Sequence, residues 1–349
     1  MNSTHEVSVK EEINEVTMKK PHVVILGAGA SKAALPRGDH QGRKIPLMND
    51  LTETIELENL VKKAGLDYKN KNFEEIYSSL SSDEQNRTLC KQIEARIYDY
   101  FIGLEYPYKP TIYDHLVLSL RETDLIATFN WDPFLMEAYR RNKSRFKLPR
   151  IAFLHGNVTI GYCENDRVSG LNGKECSKCG KVFTQSPLLF PITKKNYNEN
   201  PFIANEWKTL SMYLEEAFMI TIFGYRAPES DVEAKKIMIK AWGEVERRDM
   251  EQVEMIVKPG ANKESISETW KHFIHTHHYD IIDNFYDSWI ANHPRRTGEA
   301  YINQYIRAKF IDKNPIPKNF SYMELWNWLI PLKLVENVSN NPYIKTKRI

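Results

Sequence analysis

Five short runs along the chain are almost wholly apolar, residues 22–26 (HVVIL), 125–128 (LIAT), 151–154 (IAFL), 218–223 (FMITIF) and 253–257 (VEMIV). Their length and β-branched content predict strands buried on both faces, as a parallel sheet requires. Between them the period changes to that of a helix. Leu51, Ile55, Leu57, Leu60 and Val61, then Phe73, Ile76, Tyr77 and Leu80, then Ile93, Ile97, Tyr98 and Phe101 recur at three- and four-residue spacing. Residues 47–120 are therefore expected to form a helical insertion, with further helices over 133–141, 204–216 and 229–242. Beyond about residue 263 the pattern reads as helical to the end, including 281–290 and 321–334. Strands alternating with helices imply an α/β, doubly wound, Rossmann-like parallel sheet.

The first twenty residues are polar, mixed in charge and without the apolar segment of a secretion signal, and are read as a flexible lead-in. The division expected is 1–20 flexible, 21–291 nucleotide-binding domain, and 292–349 helical extension. The longest apolar stretch, residues 217–223, is too short to cross a bilayer. With 48 basic against 46 acidic residues, the net charge of +2 offers no electrostatic case for nucleic acid. Four cysteines, three of them close together, do not look like a disulfide framework, so a reducing, cytoplasmic location is expected.

Candidate chemistry sits at the ends of the apolar runs. Gly27-Ala28-Gly29-Ala30-Ser31 follows the first one: two glycines permit close approach of a phosphate, and the helix that follows offers free amides. Lys32 stands where the dinucleotide fingerprint has its third glycine, and a ligand-free strand-to-helix turn explains the motif equally well. Thr128-Phe129-Asn130-Trp131-Asp132 follows the second run, where an amide and a carboxylate two apart can face one pocket. Asp132, just before Pro133, is equally suited to cap the next helix. The third run ends in His155-Gly156, a histidine placed to accept a proton near neutral pH. A single histidine is usually structural; recurrence at successive strand ends raises this one. Cys163, Cys176 and Cys179, within the loop 161–181, have a spacing suited to zinc, with a fourth ligand to come from Asp166 or a histidine elsewhere, unless the site has been lost. The cluster His272, His275, His277 and His278 reads as a solvated helix end, and Trp289, Trp326 and Trp328 as core or an oligomer surface.

In order, GAGAS at 27–31, T-x-N-x-D at 128–132, His155-Gly156 and the segment 224–231 (GYRAPESD) resemble the signature of the sirtuin superfamily, and more narrowly the sirtuin-like NAD hydrolases of bacterial anti-phage defence. The resemblance covers roughly residues 21–261. It implies NAD+ phosphates on Gly27, Ala28, Gly29, Ala30 and Ser31, with Thr128 beside them, and the nicotinamide ribose by Asn130 and His155. The adenosine half would lie near Gly224, Tyr225, Ser230 and Asp231. Catalysis would rest on Asn130, His155 and Asp132, cleaving the nicotinamide–ribose bond. It also implies a structural Zn2+ in the cysteine loop, although the family uses four cysteines, and control by homo-oligomer assembly or by a HerA-type ATPase partner.

The chain departs from the deacylases of that superfamily in two places. Leu35-Pro36-Arg37-Gly38 replaces their G-I-P-D-F-R segment, and Phe129 replaces a glutamine. Both departures favour the hydrolase. The alternatives are an NAD-dependent protein deacylase, and a non-catalytic sensor of NAD or ADP-ribose.

Overall fold

The computed structural model describes residues 6–69, 71–192, 196–228 and 231–338. The strands in chain order are β1 (Glu6–Val7), β2 (His22–Leu26), β3 (Leu125–Thr128), β4 (Arg150–Phe153), β5 (Ile160–Cys163), β6 (Val168–Leu171), β7 (Thr184–Gln185), β8 (Met219–Phe223), β9 (Gln252–Ile256), β10 (Tyr279–Ile282) and β11 (Phe310–Ile311). Six of them form an all-parallel sheet in the order β10-β9-β8-β2-β3-β4. The chain winds outward from β2 through β3 to β4, then restarts on the other side of β2 and winds through β8 and β9 to β10. The reversal falls between β2 and β8, and an open parallel sheet offers its crevice at such a point, beyond the carboxyl ends of the strands.

Alternation along the central strands divides the interior in two. Val24, Leu26 and Ile126 face one core, which holds the helical insertion and the C-terminal helix Tyr322–Val338. Val23, Ile25, Leu125 and Ala127 face the other, built with the helices Pro201–Glu216 and Val232–Trp242. The insertion comprises helices Leu51–Thr54, Glu58–Lys63, Phe73–Ser81, Arg87–Ile102 and Ile112–Ser119. The edge strand β4 is covered: Glu206 accepts the Phe153 amide at 2.9 Å, and Trp207 Nε1 donates to the Leu154 carbonyl at 3.1 Å. Among the described residues no helix is long and apolar enough to cross a membrane.

Two expectations are corrected. The stretch 281–290, read as helix, begins in β10 and continues in the single turns Phe285–Asp287 and Trp289–Asn292. Pairing with β9 supplies Tyr279–Ile282 with a partner that local periodicity does not reveal. The cysteine loop and the residues just beyond it carry a small antiparallel sheet of β5, β6 and β7. The N-terminal segment, expected to be flexible, is built into the fold from Glu6 onward. There β1 pairs with β11, and Ser8 and Glu11 form a capping box on the helix Val9–Asn14.

That segment is held by buried charge. Arg296, which is fully buried, donates to the Ile13 carbonyl at 2.9 Å, to the Leu332 carbonyl at 3.0 Å and to Glu336 at 2.7 Å. Arg295 makes a second ion pair with Glu336 at 2.6 Å. Burial raises the Glu336 pKa, but the two guanidinium groups outweigh it and hold the carboxyl at about 2. Because this value lies below that of the unfolded chain, the stabilisation is present above about pH 4.5 and is lost as pH falls toward 2. Glu336→Gln leaves two buried cations short of a counter-charge and is expected to cost about 3–5 kcal/mol at pH 7. Urea unfolding at pH 7 and at pH 3 should show the gap between wild type and variant shrinking in acid; equal midpoints at pH 7 would contradict the assignment.

Candidate active site

The sheet's hydrogen bonding continues one residue past each strand end. Gly27 N donates to Phe223 O, Phe129 N to Leu26 O, Leu154 N to Thr128 O and Gly224 N to Ile256 O, all at 2.9 to 3.0 Å. This aligns the four segments singled out in the sequence along one edge of the sheet. At the switch point the chains nearly touch. Gly29 N donates to Gly224 O at 3.0 Å, and a Cβ on Gly27 would lie 2.6 Å from that same oxygen. Gly224 has φ +64°, and a Cβ there would sit 2.2 Å from Ala30 N. Glycine is required for the conformation and for the space. Ala28 and Gly29 remain half-exposed on the turn, whereas Gly27, Ala30 and Ser31 are buried.

Ser31, Asn130 and Asp132 come together with Tyr113, a residue that sequence reasoning missed. The Ser31 hydroxyl donates to Asp132 Oδ2 at 2.6 Å and lies 2.7 Å from the Tyr113 hydroxyl. Asn130 Nδ2 faces Gly27 O at 2.9 Å, Ser31 Oγ at 3.0 Å and Tyr113 OH at 3.1 Å, while its Oδ1 accepts from no described residue. Thr128 is fully enclosed and accepts the Asn130 amide at 3.0 Å, so it orients Asn130 instead of facing a ligand. Asn157 donates to the Asp132 carbonyl at 2.7 Å, tying the next strand end to this one. Asp132 Oδ1 also accepts Phe134 N at 3.2 Å, so the carboxylate bonds to the first amide of the next helix, although the cap position itself falls to Pro133 and not to Asp132 as the sequence suggested. Burial raises the Asp132 pKa to about 6, with the bonds from Ser31 and Phe134 opposing it.

His155 occupies a second, aromatic chamber. Its ring meets Phe129 edge-on at 4.7 Å and is nearly parallel to Tyr197 at 5.9 Å. Its Nε2 lies 3.3 Å from the Tyr197 hydroxyl and 3.8 Å from Asp231 Oδ1. Tyr225 stacks on Phe129 at 4.0 Å and donates to Asp231 Oδ2 at 3.0 Å. Phe129 thus joins the histidine to the segment after β8. Burial pushes the Tyr197 and Tyr225 phenols far up, so both remain neutral donors. Ser230, the last residue named from the sequence, lies outside the described residues. Tyr113 sits on an insertion helix and Tyr197 in a polar stretch; neither has a local motif that could have announced it.

The cysteine module backs onto His155. Leu189 N donates to His155 O at 2.9 Å, Asn157 N to Ser186 Oγ at 3.1 Å, and Gly156 (φ +76°) lies where a Cβ would meet Pro187 O. Within the module, ligand atoms of Cys163, Asp166, Cys176 and Cys179 all lie within 4.8 Å of one another. Cys163 and Cys179 sulfurs are 3.5 Å apart, and Asp166 Oδ2 lies 3.2 Å from Cys176 Sγ. Three sulfurs and one oxygen at this spacing suit a tetrahedral ion, with Asp166 standing where a fourth donor would be needed. The histidine cluster forms no comparable group; His275 Nδ1 is 2.7 Å from the Val245 carbonyl.

Solved structures to which the chain is similar include a Sir2 homolog in complex with NAD, 15% identical, covering 86% of this chain and 93% of that one with a TM-score of 0.38. A structure solved for the mechanism and regulation of Sir2 enzymes is 14% identical, covers 86% and 97%, and has a TM-score of 0.40. A Sir2 bound to an acetylated peptide is 13% identical, covers 85% and 96%, and has a TM-score of 0.34. No protein-family model and no curated protein matches the chain. The doubly wound order of the sheet stands independently of these likenesses.

Two outcomes follow from this geometry. Because the folded Asp132 pKa of about 6 exceeds its ordinary value of 3.8, the group binds its proton more tightly when folded, and its contribution to stability falls as pH rises from about 4 to 6. Unfolding free energies of wild type and Asp132→Asn should therefore diverge across that window, in favour of the variant, by roughly 3 kcal/mol; a pH-independent difference would contradict it. For the module, protein purified without chelator should carry one metal ion per chain, and Asp166→Ala should lower its occupancy; metal-free protein with full thermal stability would oppose this.

Proposed function

We propose that this protein is an NAD+ hydrolase that breaks the bond between nicotinamide and ribose, giving nicotinamide and ADP-ribose. The observation that carries the reading is the convergence of a glycine turn, the Asn130–Ser31–Asp132 group and His155 on one edge of the sheet, flanking its switch point. In this reading the pyrophosphate lies on residues 27–31, with the half-exposed Ala28 and Gly29 presenting the surface, and the nicotinamide ribose lies between Asn130 Oδ1 and His155.

The C1′–N bond breaks with its electron pair leaving on nicotinamide, which departs neutral. Water bonds to C1′ of the oxocarbenium-like sugar and gives its proton to the His155 imidazole. Asp231, 3.8 Å from Nε2, favours the cation so formed. Asn130 Oδ1 aligns a ribose hydroxyl or the water. The Tyr113–Ser31–Asp132 chain fixes the Asn130 side chain and supplies negative charge near the sugar as positive charge develops. Zn2+ on Cys163, Asp166, Cys176 and Cys179 would be structural, stiffening the segment that backs His155. Depletion of NAD in anti-phage defence, together with homo-oligomer assembly or a HerA-type ATPase as the control, is the biological setting that the sequence resemblance suggests.

A second reading, binding of NAD or ADP-ribose without turnover, draws on one observation: the Asn130 amide is occupied by internal acceptors, as a purely structural residue would be. Kinetics separate the two. Under conditions in which the wild type releases nicotinamide, His155→Ala is expected to lose about 10²–10⁴-fold in kcat with a smaller change in NAD+ binding. Asn130→Ala should fall in the same direction, with circular dichroism showing both variants folded. Folded variants that turn over NAD+ like the parent would place the chemistry elsewhere.

A further inference from the structure

We infer that Tyr197 selects the acceptor of the ribosyl group: its ring walls in His155 so that water is admitted and an acceptor whose oxygen carries a carbon chain is not. The inference rests on the hydrolase reading above and names the residue that decides what the site accepts. In such a transfer the acceptor oxygen must come within hydrogen-bond reach, about 2.6–3.2 Å, of the base that takes its proton. Whatever is attached to that oxygen must then find room beside the imidazole. The room is already filled. His155 is 6% exposed, Tyr197 3% and Phe129 8%. The Tyr197 hydroxyl stands 3.3 Å from Nε2, Asp231 Oδ1 lies 3.8 Å from the same nitrogen, and Phe129 meets the ring edge-on. The phenol runs within 15° of parallel to the imidazole, so its carbons line the approach to that nitrogen. Water finds polar partners there in Nε2, the Tyr197 hydroxyl and Asp231. A carbon chain on the same oxygen would run into the phenol.

The wall is tied to the histidine it covers. Tyr197 leans on Trp207 with ring centroids 4.4 Å apart, and the Trp207 indole donates to the carbonyl of Leu154, the residue before His155, at 3.1 Å. One tryptophan therefore sets the place of both the phenol and the histidine backbone. The chain between Tyr197 and Trp207 is pinned as well. Asn196 Oδ1 accepts Asn198 N at 3.1 Å, and Asn200 caps the helix Pro201–Glu216 by accepting Phe202 N and Ile203 N at 2.9 and 3.2 Å. Cutting the ring back to a methyl leaves a hole bordered by Trp207, Phe129 and His155, and packed surroundings relax only partly around such a hole. An alcohol can then enter. The step keeps its balance: the C1′–N bond breaks with its electron pair leaving on nicotinamide, the alcohol oxygen bonds to C1′, and the alcohol proton passes to His155.

The test is the partition of NAD+ between hydrolysis and transfer to 1-propanol, read by mass-resolved chromatography as ADP-ribose against its propyl glycoside. Tyr197→Ala should raise the propyl-to-hydrolysis ratio at least about tenfold, the least that a misfit of one methylene in a closed pocket is worth. Tyr197→Phe keeps the ring without the hydroxyl and should keep the wild-type ratio, which separates the wall from any part the hydroxyl plays in the rate. Because cutting a buried aromatic to Ala destabilises, the series includes Tyr197→Leu, which stays apolar against Trp207 and should give an intermediate ratio. A wild type that transfers to propanol in proportion to its concentration, an unchanged ratio in folded Ala and Leu variants, or a rise in Tyr197→Phe equal to theirs would overturn the proposal. A second readout needs no turnover. Diethyl pyrocarbonate should carbethoxylate His155 at least about tenfold faster in the Ala and Leu variants than in wild type or Tyr197→Phe, since a covered group reacts only through opening. The fully buried His115 should stay unmodified throughout, as the mark of an intact fold. If nothing in the series releases nicotinamide, the hydrolase reading falls and the reagent still decides the wall: equal His155 reactivity overturns it, and the tenfold difference supports it.

Discussion

The approach of two backbone turns at the centre of the sheet governs the rest of the site. Between the turn after β2 and the turn after β8 there is no room for a single Cβ at Gly27, Gly29 or Gly224. The Gly29–Gly224 hydrogen bond then fixes how the two halves of the doubly wound sheet meet. From that contact the other distances follow. Ser31, one turn further along its helix, is brought under Asn130 and Asp132, and Tyr225, the residue after Gly224, is brought flat onto Phe129.

Two chemically different chambers result, on either side of Phe129. One is polar and buried, with a carboxylate, a hydroxyl, a phenol and an amide bonded in sequence. The other is aromatic and holds a histidine between Phe129, Tyr197 and the Asp231 carboxylate. Exclusion of water from both makes each charge matter more than it would in solution, which is why burial displaces Asp132 toward neutrality while its hydrogen bonds from Ser31 and Phe134 resist. The cysteine module enters this arrangement indirectly. Its closing segment holds the backbone of His155 and Asn157, so its integrity and the position of the histidine are linked.

Much of this was legible in the sequence because buried parallel strands leave a strong local mark. Runs such as 23–26 and 125–127 are apolar at every position, and the polar residues that follow them are conspicuous by contrast. What escaped depends on partners distant in the chain. Tyr279–Ile282 is a strand because β9 lies beside it, and its own four residues, one of them Asp280, carry no period that outweighs the helical context. The polar N-terminal segment looked unanchored because its anchor, Arg296, is nearly three hundred residues away and grips carbonyl groups that a sequence cannot distinguish. Tyr113 and Tyr197 reach the site from helix and loop by the same long-range logic. Asp166 was named as a fourth metal donor only among alternatives, and the antiparallel pairing of β5 and β6 brings it to the thiols.

The central claim is that water is the acceptor of the ribosyl group at this site. Incubation of the full chain with NAD+ in 18O-enriched water, followed by mass-resolved chromatography, tests it directly. The account predicts release of free nicotinamide in equal amount to ADP-ribose, with one 18O at the ribose carbon that nicotinamide left. Release of nicotinamide only when an acyl-lysine peptide is supplied, with the acyl group recovered on ADP-ribose, would contradict it and assign the site to acyl transfer.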